Sequence, residues 1–223
     1  MKNLDEIQKI MLLLDEAYPL DIFCYLAYDK PWQLLIATIL SAQCTDARVN
    51  SITPGLFAKY PTLEDFAKSC LEKLESDIKP AGFYHTKAKH IKETCKALCE
   101  DFGGELPSEM DMLTTLPGVG RKTANLIRGH IFNIPSIIVD THVKRISAKL
   151  GFTENEDPAK IEIELMGILP QEHWTRYNTQ IIAHGRAICT ARNPHCASCV
   201  FSELCDWRKR GFDSKPIMKK KKA

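Results

Sequence analysis

The chain has no apolar run approaching the length of a membrane span, which excludes a helical membrane protein. Its opening residues lack a signal-peptide pattern and merge into an amphipathic helix, so an intracellular protein is expected, cytoplasmic or nucleoid-associated if bacterial. No internal repeat stands out, and no alternation of apolar and polar residues suggests a β-meander. A single strand-like run, Ile134 to Val139, reads better as an extended connector. A large charge of one sign is also missing: the formal net charge is only +2. Without an export signal, the nine cysteines do not read as a disulfide framework.

What is present is ordinary in bulk and informative in detail. A chain of 223 residues that is 44% hydrophobic and 26% charged can bury a sizeable core. Helical spacing of apolar residues runs through 4–14, 32–43, 87–102, 121–132, 141–150, 158–169 and 175–188, which makes the protein all-α. Pro31, Pro54-Gly55, Pro61, Pro80, Gly103-Gly104, Pro107, Gly151 and Pro170 read as breakers between these stretches. Charge is uneven: residues 1–30 hold three Lys against six acidic residues, and residues 189–223 hold nine Lys and Arg against three. The basic C-terminal region suits a phosphate-facing surface, with Lys219 to Lys222 read as a solvated tail. Cys24, Cys44, Cys70, Cys95 and Cys99 fall in helical stretches and read as reduced, mostly buried thiols.

The most informative segment is Leu116-Pro-Gly-Val-Gly-Arg-Lys-Thr-Ala-Asn125. Pro117 cannot extend the helix before it, and Gly118 and Gly120 tolerate positive φ or close backbone approach. Arg121 opens a new helix, whose first N–H groups and dipole make an anion site. Lys122, an amine and so a potential nucleophile, stands in its first turn. The segment lacks the spacing of a P-loop.

Cys189, Cys196, Cys199 and Cys205 crowd four thiols into 17 residues with 6-2-5 spacing. Four thiolates so close can hold a tetrahedral zinc ion or a cubane iron–sulfur cluster. Asp140 follows the apolar Ile137-Ile138-Val139 and by itself reads as a helix N-cap.

Together these segments resemble the helix-hairpin-helix DNA glycosylases of base excision repair, most closely the endonuclease III branch. The likeness covers essentially the entire chain. It implies two helical lobes flanking a DNA-binding groove: a six-helix lobe over residues 24–134, and a discontinuous lobe from 1–23 and 135–215, followed by the basic tail 216–223. The 6-2-5 spacing matches the family's [4Fe–4S] site, with Arg192 in its loop set against a phosphate. Val139-Asp140-Thr141-His142 has the family's order after the hairpin, so Asp140 would be the catalytic carboxylate. The partner would be double-stranded DNA carrying damaged pyrimidines or abasic sites, bound by a monomer.

The implied chemistry is bifunctional glycosylase and AP lyase action. A damaged nucleotide is flipped from the duplex, Lys122 attacks C1′ to form a Schiff base, and β-elimination cuts 3′ to the lesion. An unperturbed lysine of pKa about 10.4 is neutral in roughly one molecule in 2,500 at pH 7, so desolvation in the closed complex must supply most of the activation. Gln43, in Ser41-Ala-Gln-Cys-Thr-Asp46, resembles the family's gap-filling Gln. Phe83, in Gly82-Phe83-Tyr84, occupies the second wedge position, where the family commonly has Leu. Gly118, Gly120 and Arg121 would meet phosphate. The alternatives are a monofunctional mismatch glycosylase of the same fold, disfavoured by Lys122, a non-catalytic DNA-binding module, and a zinc-stabilised scaffold.

Overall fold

The computed structural model describes residues 2–18 and 24–211; the basic tail expected over 216–223 lies outside them. Every regular element among the described residues is helical. The chain divides into two compact units, changing from one to the other at Phe23/Cys24 and at Ser136/Ile137. No helix among the described residues is long and apolar enough to cross a membrane.

The unit built from both chain ends begins with α1, Leu4–Ala17. Asn3 and Glu6 close a reciprocal capping box at its start, satisfying two backbone N–H groups at once. Its buried residues Ile7, Ile10, Met11 and Leu14 are spaced three, one and three apart, a single helical stripe. That stripe packs into a core with residues of α9 (Thr141–Leu150), α10 (Pro158–Ile168) and α11 (Trp174–Ala187). Burying each such side chain contributes roughly 1.5–3 kcal/mol. Gly151 ends α9 in the left-handed conformation, and α12 (Asp206–Lys209) packs so close there that a Cβ would strike the Asp206 carboxylate.

The central unit, Cys24–Ser136, is organised around α2, Pro31–Ser41. Pro31 starts this helix rather than breaking it, because an N1 residue needs no N–H donor. Residues 33–40 are all buried, so α2 is the core helix of the unit. Around it come α3 (Asp46–Lys59), α4 (Leu63–Lys68), α5 (Leu71–Ile78), α6 (Tyr84–Asp101), α7 (Met110–Thr115) and α8 (Arg121–Ile131). Trp32, Phe57 and Phe66 meet edge to face, with centroids 5.6 to 6.4 Å apart.

Three expectations need correction. The central unit has seven α-helices, not six, because Thr62 and Asp65 cap a short helix of their own that ends at Ser69. Pro54-Gly55 does not break the chain but lies inside α3 on its exposed side. The missing hydrogen bond costs about 3 kcal/mol, and burial of Val49, Thr53 and Leu56 on the opposite face offsets it. Of the five scattered cysteines only Cys95 is buried; Cys70 is exposed at the start of α5.

Candidate active site and metal centre

The hairpin is built by α7, a tight turn and α8. Val119 N–H donates to Leu116 O at 3.0 Å, with Pro117 and Gly118 at the turn's corners. Gly118 has φ +76°, as the third residue of a type II turn requires. Its α-carbon lies against α6, where an added Cβ would fall 2.6 to 2.9 Å from His90. Thr94, one turn further along α6, donates its hydroxyl to Pro117 O at 2.7 Å. Gly120 is different: its φ is −93°, extended backbone open to any residue, and nothing lies within 4 Å of its Cβ position. Neither strain nor crowding within the protein requires glycine there.

Gly120 is the N-cap of α8, and no side chain caps the helix. The first-turn N–H groups therefore point outward with the positive end of the helix dipole, a site for an anion. Arg121 and Lys122 are both exposed in that first turn.

The two loops expected to fill a DNA gap share an unusual backbone. Ser41 to Cys44 forms a turn closed by Cys44 N–H to Ser41 O at 3.0 Å, and Gln43 occupies its left-handed corner at φ +53°. Phe83 is left-handed at φ +48°, immediately before α6. Both side chains are exposed, Phe83 to 65%. Between the loops lies a residue the sequence reading missed. Lys87 is 4% exposed and donates to Leu40 O at 2.8 Å and to Ala81 O at 2.9 Å.

In the other unit, Asp140 is the N-cap of α9. One carboxylate oxygen accepts from Val143 N–H at 2.8 Å, and the residue is half-buried at the end of the extended connector. Asn178 holds that connector by donating to Ile138 O at 3.1 Å. Capping occupies one oxygen and leaves the carboxylate able to take a second role.

The four cysteines of the 6-2-5 motif line one recess of about 410 Å³, solvent at its mouth included, with Ile146, Leu150 and Phe201 among its apolar walls. Burial pushes the Cys199 thiol up to about 11 and raises that of Cys189, so thiolates here need a positive centre to draw off their protons. Four soft sulfur donors in an apolar wall fit an iron–sulfur cluster. The shell around them is specific. Tyr18 bonds His184 Nδ1 at 2.8 Å, and His184 Nε2 lies 3.6 Å from Cys199 Sγ. Burial, aided by Arg145, holds the His184 imidazole down to about 4 and hence neutral. In the tautomer that accepts from Tyr18 at Nδ1, the neutral ring carries its one N–H on Nε2, facing the sulfur. Arg145 donates to Cys189 O at 3.0 Å and fixes the start of the loop. Arg192 is exposed on that loop, which Thr190 closes by donating to Asn193 O at 2.6 Å.

Known proteins resemble the chain across both regions. Residues 36–171 match the HhH-GPD superfamily of base excision DNA repair proteins, and residues 189–205 match the iron–sulfur binding domain of endonuclease III. Endonuclease III of Synechocystis is 48% identical over 198 residues, 88% of this chain and 90% of its own length. That of Bacillus subtilis is 42% identical over 222 residues, 99% of this chain and 100% of its own. The structure of a trapped endonuclease III–DNA covalent intermediate superposes with TM-score 0.89 at 41% identity, covering 95% of this chain and all of that one. A thermostable thymine-DNA glycosylase matches at TM-score 0.79 and 25% identity, over 92% of this chain and 95% of that one. The chain thus belongs to the endonuclease III family, the [4Fe–4S]-containing DNA glycosylases and AP lyases of base excision repair.

Proposed function

We propose that the chain removes oxidised pyrimidines such as thymine glycol and dihydrouracil from double-stranded DNA, acting as an intracellular monomer, with Lys122 as nucleophile and Asp140 as catalytic carboxylate. The observation that carries this reading is the exposed amine of Lys122 in the uncapped first turn of α8, directly behind the hairpin. DNA phosphate held by those N–H groups would bring the sugar of a flipped nucleotide to the amine. Lys122 Nζ attacks C1′, and the bond from C1′ to the base breaks as the base leaves with a proton. The C1′–O4′ bond then opens with a proton passing to O4′, which gives the Schiff base, and the Schiff base permits loss of a C2′ proton and departure of the 3′ phosphate. Asp140 stabilises positive charge developing on the sugar and assists proton transfer. Gln43 and Phe83 enter the gap that the flipped nucleotide leaves. Cys189 and Cys196, as ligands of a bound cluster, would hold rigid the loop that presents Arg192 to a phosphate.

Borohydride trapping on an abasic duplex tests the reading. The intact protein should give a covalent adduct and Lys122→Ala none. An adduct that persists in Lys122→Ala assigns the chemistry to another amine, and no adduct from cluster-replete protein points to a monofunctional glycosylase or a non-catalytic DNA-binding module.

A further inference from the structure

Three residues other than glycine have positive φ among the described residues, and two of them are Gln43 and Phe83. Left-handed backbone is unfavourable for residues with a Cβ, and a side chain 65% exposed gains little from packing in return. Some other part of the protein must hold both corners. Leu40 O belongs to the last turn of α2, whose carbonyls have no partner within the helix. Thr38 O accepts from the Ser41 hydroxyl, Ile39 O from Ala42 N–H and Ser41 O from Cys44 N–H. Leu40 O is left to Lys87. The second acceptor of Lys87, Ala81 O, ends the short 3₁₀ turn Lys79–Ala81 just before Gly82 and Phe83. A single buried ammonium thus joins a point three residues before Gln43 to a point two residues before Phe83. Burial pushes that ammonium down from its ordinary value, so its charge is retained at a cost. Lys87, His90 and Thr94 recur at helical spacing on α6; His90 lies against Gly118 of the hairpin turn and Thr94 bonds Pro117 O.

We propose that Lys87 is a positioning residue that clamps the Gln43 and Phe83 loops at one separation, preset so that both side chains enter the gap beside an extruded nucleotide together. The inference rests on the gap-filling roles given to Gln43 and Phe83 above. Its ligand is the stretch of duplex with one nucleotide missing from the stack, and its contribution is discrimination of that duplex from intact DNA. Lys87 itself touches neither base nor sugar, and its two carbonyl partners keep its amine from acting as the nucleophile.

The test uses full-length, cluster-replete protein and a duplex with a non-cleavable tetrahydrofuran abasic analogue opposite 2-aminopurine. Lys87→Met keeps the reach of the side chain and removes its donors. It should lose about 10-fold or more of the preference for abasic over intact duplex, with unchanged affinity for intact duplex and a diminished 2-aminopurine response. Borohydride trapping should persist in Lys87→Met. Gln43→Ala and Phe83→Ala are run beside it. If both retain the fluorescence response, the gap-filling reading itself fails. If they lose it and Lys87→Met does not, or if Lys87→Met weakens abasic and intact duplex equally, the clamp is overturned. Should Lys87→Met not fold, hydrogen exchange of the parent decides. Amides of residues 40–46 and 80–86 protected equally before and after DNA binding support a preset clamp; protection acquired only on binding refutes it.

Discussion

Substituting each of the two hairpin glycines by alanine should separate what the fold requires from what DNA requires. At Gly118, φ is +76°, and placing an L-residue there costs about 1–2 kcal/mol. The new Cβ would also fall 2.6 Å from His90 Nδ1 and 2.9 Å from His90 Cβ and Cγ. The His90 Cβ sits at the root of its side chain, so no rotamer change moves it; relief requires a shift between α6 and the turn. Overpacking of this kind typically costs about 1–3 kcal/mol. The two effects sum to roughly 2–5 kcal/mol, which lowers the melting temperature by at least about 4 °C in a chain of this size. Gly120→Ala meets no atom within 4 Å and no positive φ, so it should lose only the preference of an N-cap for glycine over alanine, about 1 kcal/mol or less, and melt closer to the parent than Gly118→Ala does. It should instead weaken binding to an abasic duplex, because the methyl group stands where backbone N–H groups would approach a phosphate. The assay is thermal unfolding of cluster-replete protein at one scan rate, paired with duplex binding. Adding His90→Ala to Gly118→Ala should restore only the part of the packing loss that comes from the imidazole, because alanine keeps the Cβ at 2.9 Å, and it should leave the backbone part. Gly118→Ala melting like the parent, or Gly120→Ala destabilised as much, would refute the argument.

Two further outcomes are expected. Burial of His130 pushes its pKa from 6.5 down to about 4. Below pH 6.5 the unfolded chain takes up a proton that the folded chain refuses, so stability is lost as pH falls through that window, by about 3 kcal/mol in all. His130→Gln should therefore lose less melting temperature than the parent between about pH 7.5 and pH 5; parallel curves would sink this assignment. His184→Phe keeps the ring that packs edge-on to Phe201 at 4.8 Å and removes the N–H facing Cys199. Hydrogen bonds to cluster sulfurs tune stability and potential, so iron content and visible absorbance should fall faster under oxidant in His184→Phe than in the parent. Identical bleaching would remove His184 from that role.

The all-helical architecture was legible because apolar spacing and caps are local signals. Thr141–Leu150 is found at its expected bounds, since Asp140 and Gly151 are strong start and stop residues. Pro54 misled because the loss of one hydrogen bond is local, while the burial that outweighs it is not. The short Leu63–Lys68 helix was missed because six residues carry too few apolar positions to show a period.

What the sequence alone determined is whatever a short segment specifies by itself. Pro117-Gly118 has the right chemistry for its turn, four closely spaced thiols declare a metal centre, and Asp140 is set to cap α9. What only the tertiary structure decided depends on residues far apart in the chain. Ala42-Gln43 has no residue that favours a left-handed corner, yet it adopts one. The hydrogen bond of Lys87 to Leu40 O spans 47 residues, and in sequence that lysine looks like any polar residue of a surface helix. Tyr18 and His184 stand 166 residues apart and meet beside Cys199. Such contacts follow from how helices pack, which pairs residues by helix face rather than by position along the chain.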